Sequence, residues 1–278
     1  MHIKKIIAGN WKMNPVSLKE AEKIFSTEVK PLSLLNMRKT EVIVFPPFVY
    51  LGFLKKLSGK ISIGGQNVFA ENPPYGTGAH TGEISAEMLY GLGARYVILG
   101  HSERRALTGG GYALGKFADT GERNNGETNL DVNKKIKSSL SSGLKVIVCV
   151  GESTRDENHE YLDFIKKQIE EGLEGISGNS LSKIIIAYEP IWAIGKGAIR
   201  EATPAEFREM KIFIKKVLSD KFSPAKALGV RILYGGSVNP KNSLGFLTEG
   251  QADGFLVGRD SLKPKQFVEI VKNAESVK

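Results

Sequence analysis

Eight short apolar runs recur along the chain, at residues 5–8, 42–45, 61–64, 96–99, 145–150, 183–188, 231–234 and 254–257. Each is nearly continuous, with little alternation of apolar and polar positions. Strands buried on both faces of a parallel sheet read this way. The segments between them carry a helical period instead. Within 17–29, Leu18, Ala21, Ile24 and Phe25 fall on one face; within 203–218, Phe207, Met210, Ile214 and Val217 do. The pattern predicts further helices over 48–57, 85–92, 130–140, 161–173, 240–247 and 263–271. The 203–218 helix has the clearest start: Thr203 as N-cap, Pro204 at the first helical position and Glu206 completing a capping box. Strand followed by helix, eight times, fits an open doubly wound sheet or a closed (β/α)8 barrel, and the count of eight favours the barrel.

No linker, repeat or low-complexity tract divides the chain, so one domain over 1–278 is expected. Its sharpest internal shift in composition is a Gly- and Asn-rich stretch at 108–128. It carries Gly109, Gly110, Gly111, Gly115, Gly121, Asn124 and Asn125, too much flexible backbone for a core element.

Composition changes this picture only at its edges. With 278 residues and 41% hydrophobic content the chain can bury a sizeable core. The net charge of +9 suits an acidic partner. Lys and Arg are scattered over many helices, without a dense basic run or interleaved aromatics, so nucleic acid is not the expected partner. A small phosphorylated substrate would also welcome a positive field. The one cysteine, Cys149, lies inside the apolar run 145–150 and reads as buried strand filling, not as a nucleophile. It excludes an internal disulfide and suits a reducing compartment. The short apolar patch near the N-terminus is too small for a secretion signal, and no run approaches membrane-spanning length. A cytoplasmic protein without a membrane partner is expected.

In (β/α)8 barrels the chemistry sits at the C-terminal ends of the strands. The first strand is followed by Gly9, Asn10, Trp11 and Lys12; the fourth by Gly100, His101, Ser102, Glu103, Arg104 and Arg105. The sixth is followed by Glu189 and Pro190, the seventh by Gly235, Gly236 and Ser237, and the eighth by Gly258 and Arg259. A carboxylate at such a rim can act as general base, an imidazole can polarise an oxygen, and a lysine can hold developing negative charge. Glycine turns let backbone N–H groups approach an anion. Together these suit proton abstraction beside a carbonyl, with a phosphate as the handle. There is no metal-ligand cluster and no GxGxxG after the first strand, which implies chemistry without metal or cofactor. Each residue alone has a plainer reading: a strand-end salt bridge, a structural histidine, a solvated lysine, a tight turn. Their joint order argues against coincidence.

The blocks GNWKMN, GEISAEML, YVILGHSERR, VIVCVGES, AYEPIWAIGKG, ATPAE, LYGGSV and DGFLVGRDSL resemble those of the triosephosphate isomerase family, in that family's order and over nearly the whole chain. The resemblance implies a (β/α)8 TIM barrel, a homodimer, and interconversion of dihydroxyacetone phosphate and glyceraldehyde 3-phosphate. It implies that Glu189 is the base, that His101 is a neutral electrophile, that Lys12 stabilises the enediolate and that Asn10 orients substrate. It also implies that Glu103 supports Lys12, and that backbone amides at Gly195, Ser237, Gly258 and Arg259 grip the phosphate. Residues 190–192 match the family's first lid hinge, and 193–197 the lid tip. Thr81, Gly82 and Glu83 match the loop whose tip enters a pocket beside the neighbouring subunit's active site.

Four departures from the family pattern stand out. Ala198, Ile199, Arg200 and Glu201 lengthen the second lid hinge. The insertion at 106–125 follows Arg105. The loop before Thr81 is longer, around 73–76, with His80 where the family usually has Phe. Arg259 replaces the second glycine of a Gly-Gly pair. Three readings stay open at this point: an ordinary isomerase with drifted loops, a paralogue acting on a larger sugar phosphate such as a tetrulose phosphate, and a non-catalytic phosphosugar-binding barrel. The insertion is either a surface excursion or a wall that reshapes the site or the dimer.

Overall fold

The structure is a computed structural model that describes residues 4–71, 77–105, 126–195 and 198–277. The inserted stretch 106–125, the Pro-containing residues 73–76 and the lid-tip residues 196–197 lie outside the described residues.

Eight parallel strands form the barrel: β1 (Lys5–Asn10), β2 (Thr40–Phe45), β3 (Ser62–Gly65), β4 (Tyr96–Leu99), β5 (Lys145–Val150), β6 (Ile184–Tyr188), β7 (Arg231–Tyr234) and β8 (Gly254–Val257). They pair in sequence order, and β8 closes on β1 through partners such as Ile7 with Phe255 and Gly9 with Val257. The near-continuous apolar runs now have their reason. Alternate residues of each strand point inward and outward, and both sides are dry. Ile6, Ala8, Phe45, Ile98, Ile147, Cys149, Ile185 and Leu233 fill the barrel interior. Ile7, Val44, Val97, Val148, Ile186 and Ile232 pack outward beneath the helices. Burying each such side chain contributes roughly 1.5–3 kcal/mol, so the strands tolerate few polar positions. Cys149 is one of the inward set, and burial pushes its thiol up, in keeping with a filling role.

The described helices are α1 (Leu18–Leu34), α2 (Phe48–Leu57), α3 (Ala86–Gly91), α4 (Asn129–Ser141), α5 (Glu160–Gly172), α6 (Pro204–Lys221), α7 (Pro224–Gly229), α8 (Pro240–Thr248) and α9 (Pro264–Ser276). That is one more than the periodicity predicts. The short α7 has too few residues for a period; its signal is local, Ser223 accepting from the Lys226 N–H ahead of Pro224. Helix α1 also runs past its predicted end and through Pro31. The start of α6 is as the sequence predicts: Thr203 Oγ1 accepts from the Glu206 N–H, and Glu206 accepts from the Thr203 N–H at 2.8 Å.

Two features prepare the rim. Strand β1 continues two residues beyond its predicted end, so Asn10 belongs to the barrel and not to a loop. Arg105 and Glu127 form a parallel bridge, with the Glu127 N–H donating to the Arg104 carbonyl at 2.6 Å. The two flanks of the inserted stretch therefore meet beside the end of β4. Lys135, buried on α4, adds an ion pair to Glu127 at 2.6 Å.

Candidate active site

All five strand ends singled out in the sequence open into one cavity of about 530 Å3, lined by Asn10, Lys12, His101, Glu189, Gly195, Ser237, Gly258 and Arg259 among others. A second cavity of about 530 Å3 lies behind the β6 hinge, against Glu152 and Tyr161. It holds none of Lys12, His101 and Glu189, so the candidate residues belong to the first.

Glu189 follows β6 directly and is 3% exposed. Its N–H donates to the Val150 carbonyl at 2.8 Å, which fixes the backbone against β5. Two glycines make room for it. A Cβ on Gly151 would lie 1.8 Å from the Glu189 carbonyl oxygen, and one on Gly235 would lie 2.9 Å from Glu189 Cγ. The carboxylate accepts from the Ser102 N–H at 2.9 Å, and its other oxygen lies 3.2 Å from His101 Nε2. On the far side of the ring, His101 Nδ1 accepts the Glu103 N–H at 3.2 Å. An accepting Nδ1 leaves the ring proton of the neutral imidazole on Nε2, facing the cavity.

Lys12 sits just beyond β1 in the left-handed region, at φ 53°. Its N–H donates to Asn10 Oδ1 at 3.0 Å, and its carbonyl accepts from Gln66 Nε2 at 2.8 Å. These bonds hold a backbone conformation that costs on the order of 1–3 kcal/mol for a side-chain-bearing residue. The ammonium reaches Glu103 Oε1 at 2.5 Å. With side chains 35% and 55% exposed, that pair orients more than it stabilises. At the opposite wall, the backbone N–H groups of Gly195, Gly236, Gly258 and Arg259 donate to no atom among the described residues. They form a set of open donors suited to an anion. Arg259 is exposed there and brings a side chain where the family pattern has a glycine.

The whole arrangement falls inside one family match. The family model described as triosephosphate isomerase covers residues 5–274, which include every candidate residue. The chain belongs to the triosephosphate isomerase family. Proteins named triosephosphate isomerase are similar to it over nearly their full length. That of Caldanaerobacter subterraneus subsp. tengcongensis is 43% identical over 270 residues, 96% of this chain and 98% of that protein. That of Dictyoglomus thermophilum is 41% identical over 97% of this chain and 99% of its own. That of Dehalococcoides mccartyi is 42% identical over 97% and 96%. These findings favour the triosephosphate isomerase reading over a larger sugar phosphate or a non-catalytic barrel.

Several further residues brace this site, and none of them was given a role from the sequence. Gln66, after β3, ties the Lys12 carbonyl to the Phe45 carbonyl with bonds of 2.8 Å each. Half-buried Arg105 donates to the carbonyls of Gly100 at 2.7 Å and Cys149 at 2.8 Å, locking the ends of β4 and β5 together. Glu152, after β5 and 1% exposed, accepts through Oε1 from Tyr188, Trp192 and Arg155 at 2.7, 2.9 and 3.0 Å. A strand-end carboxylate was the signal that exposed Glu189; the same signal after β5 points to Glu152.

Proposed function

We propose that the protein interconverts dihydroxyacetone phosphate and glyceraldehyde 3-phosphate at this cavity, with the roles that the geometry suggests for each group. The observation that carries the reading is the convergence of Lys12, His101 and Glu189 opposite a wall of open backbone donors. The phosphate sits on the open N–H groups of Gly195, Gly258 and Arg259, beside Gly236 and Ser237, which leaves the carbonyl and hydroxyl carbons between base and imidazole. Glu189 takes a proton from the carbon beside the carbonyl. Charge then builds on the oxygens, where the Nε2–H of His101 donates a hydrogen bond and the Lys12 ammonium lies close. Glu189 returns the proton to the neighbouring carbon while the hydroxyl proton passes from one oxygen to the other, so nothing is gained or lost. Asn10 holds the Lys12 backbone and orients substrate; Glu103 steers the Lys12 ammonium. Glu189 has first to exchange its bond to the Ser102 N–H for the substrate.

The purified protein is expected to turn over glyceraldehyde 3-phosphate in the presence of a chelator, with kcat/KM well above that for tetrose phosphates. Activity lost to the chelator and restored only by metal, or a preference for the tetrose, would count against this reading.

We also infer a homodimer. Met13, Val16 and Val49 are 93%, 97% and 80% exposed. The Tyr50 hydroxyl donates to the Pro15 carbonyl at 2.8 Å, which places the loop after β1 against the first turn of α2. Gln66 binds the loop after β3 to Lys12 and to the end of β2, and Thr81, Gly82 and Glu83 stand exposed farther along it. Joined segments presenting large apolar side chains mark an association surface. Sedimentation should show a dimer whose activity falls on dilution; a fully active monomer at high dilution would remove the inference. The same measurements on a variant with 106–125 replaced by a short linker test whether that stretch belongs to the contact. Among the described residues no helix is long and apolar enough to cross a membrane. A reducing compartment, the cytoplasm, suits the free buried Cys149.

A further inference from the structure

The lengthened hinge Ala198, Ile199, Arg200 and Glu201 has no place in the chemistry described so far. Its arginine, however, reaches back to the other end of the same connection. Trp192 lies in the short 3-10 turn Ile191–Ala193, three residues after the base, and is 5% exposed. The Arg200 guanidinium lies over its ring, 4.8 Å from the centroid. A second guanidinium, that of Arg155, lies 5.1 Å from the same centroid. The Trp192 carbonyl accepts the Ile199 N–H at 2.9 Å.

Both cations are tied to carboxylates of the framework. Arg200 grips the two oxygens of Glu206, through Nη2 to Oε1 and through Nη1 to Oε2 at 3.0 Å. Glu206 is itself fixed by the capping box at the start of α6. Arg155 donates to Glu152 at 3.0 Å and to the Tyr188 hydroxyl at 3.0 Å, and lies 3.8 Å from Glu206. Glu152 takes the indole N–H of Trp192. The ring is thus held by one hydrogen bond and two cations, each anchored to a rigid element. Arg200 first, and Thr203 after it, hold the Glu206 carboxyl down to about 2, so the pair stays charged at any pH at which an isomerase is assayed.

We propose that Arg200 is a positioning residue for the isomerisation: it clamps Trp192 to Glu206 and, through the three-residue step back along the chain, keeps Glu189 in register with His101. The departure in the second hinge is then a gain of a contact. Lengthening the loop brought an arginine to the first hinge, and the indole provides the face it needs. The inference rests on the triosephosphate isomerase reading and fails separately from it, because wild-type turnover tests the reading and the variants below test the clamp.

In Arg200→Ala, kcat for glyceraldehyde 3-phosphate should fall about tenfold, since a shift of the base well under 1 Å suffices for that. KM should stay within about twofold and Tm within about 2 °C, because Arg200 is 54% exposed and an exposed pair contributes little to folding. Arg200→Lys keeps a cation for the ring and one bond for Glu206, and should recover most of the lost kcat. In a Trp192→Leu background the Arg200→Ala change should cost less than about twofold, as expected of residues acting as one unit. Unchanged kcat in Arg200→Ala overturns the proposal. So does a loss of kcat matched by a loss of Tm that Arg200→Lys does not repair, or an equal loss in both backgrounds.

Discussion

Glu189→Asp is expected to lower kcat about 100-fold while leaving KM within a few-fold of wild type. Removing one methylene draws the carboxylate back by about a bond length, and a misplacement of about 1 Å can cost on the order of 100-fold. The decisive question is whether the backbone can move forward by a whole bond length to compensate. Three contacts say that it cannot. The Glu189 N–H is bonded to the Val150 carbonyl at 2.8 Å, and the following Ile191 N–H to the Glu152 carbonyl at 3.0 Å. The Gly151 backbone lies so close that even a Cβ there would meet the Glu189 carbonyl at 1.8 Å. The residue is wedged between β5 and β7, and only its side chain reaches the cavity. On the proposed reading the phosphate binds at the opposite wall, so affinity should be largely spared. Steady-state kinetics in both directions check this. A variant with near-normal kcat would remove Glu189 from the role of base.

How much of this arrangement the sequence disclosed depends on the range of the forces involved. The strands were legible because a residue buried on both faces leaves a continuous apolar run, and the runs end where the rim begins. Glu189, His101 and Lys12 were legible as candidates because each is a polar group directly after such a run, and because the surrounding blocks resemble one family. Gln66 and Arg105 were not, because what they do depends on which carbonyls the barrel brings to them: for Gln66 those of residues 12 and 45, for Arg105 those of residues 100 and 149. Glu152 was legible in principle, by the rule that exposed Glu189, but its three donors come from residues 155, 188 and 192. The short α7 escaped a periodicity search for a different reason: six residues span less than two turns. Arg200 was visible as a departure, yet its meaning depends on an indole eight residues back and a carboxylate six residues on.

Lys12→Met should lower kcat/KM by about 100- to 1000-fold, the cost of removing one preorganised group aimed at developing charge. Met nearly matches the length of the lysine stem and keeps its apolar body, so the change isolates the ammonium. The backbone is expected to hold its place. The φ of 53° is imposed by Asn10 Oδ1 on the Lys12 N–H and by Gln66 on the Lys12 carbonyl, and neither bond involves the side chain. Folding should be little affected. The partner Glu103 is 55% exposed and regains water when the cation is gone, so the lost pair costs at most about 1 kcal/mol. Activity and stability therefore part company in this variant, which a structural role for Lys12 would not allow. Lys12→Arg sharpens the test. It restores the charge, but its flat, forked head cannot occupy the place of a compact ammonium 2.5 Å from Glu103 Oε1. An intermediate rate is expected if position matters as well as charge. Were Lys12→Met to retain more than a tenth of wild-type kcat/KM, the negative charge of the intermediate would have to be held by other groups, and His101 with the open backbone donors would carry the whole burden.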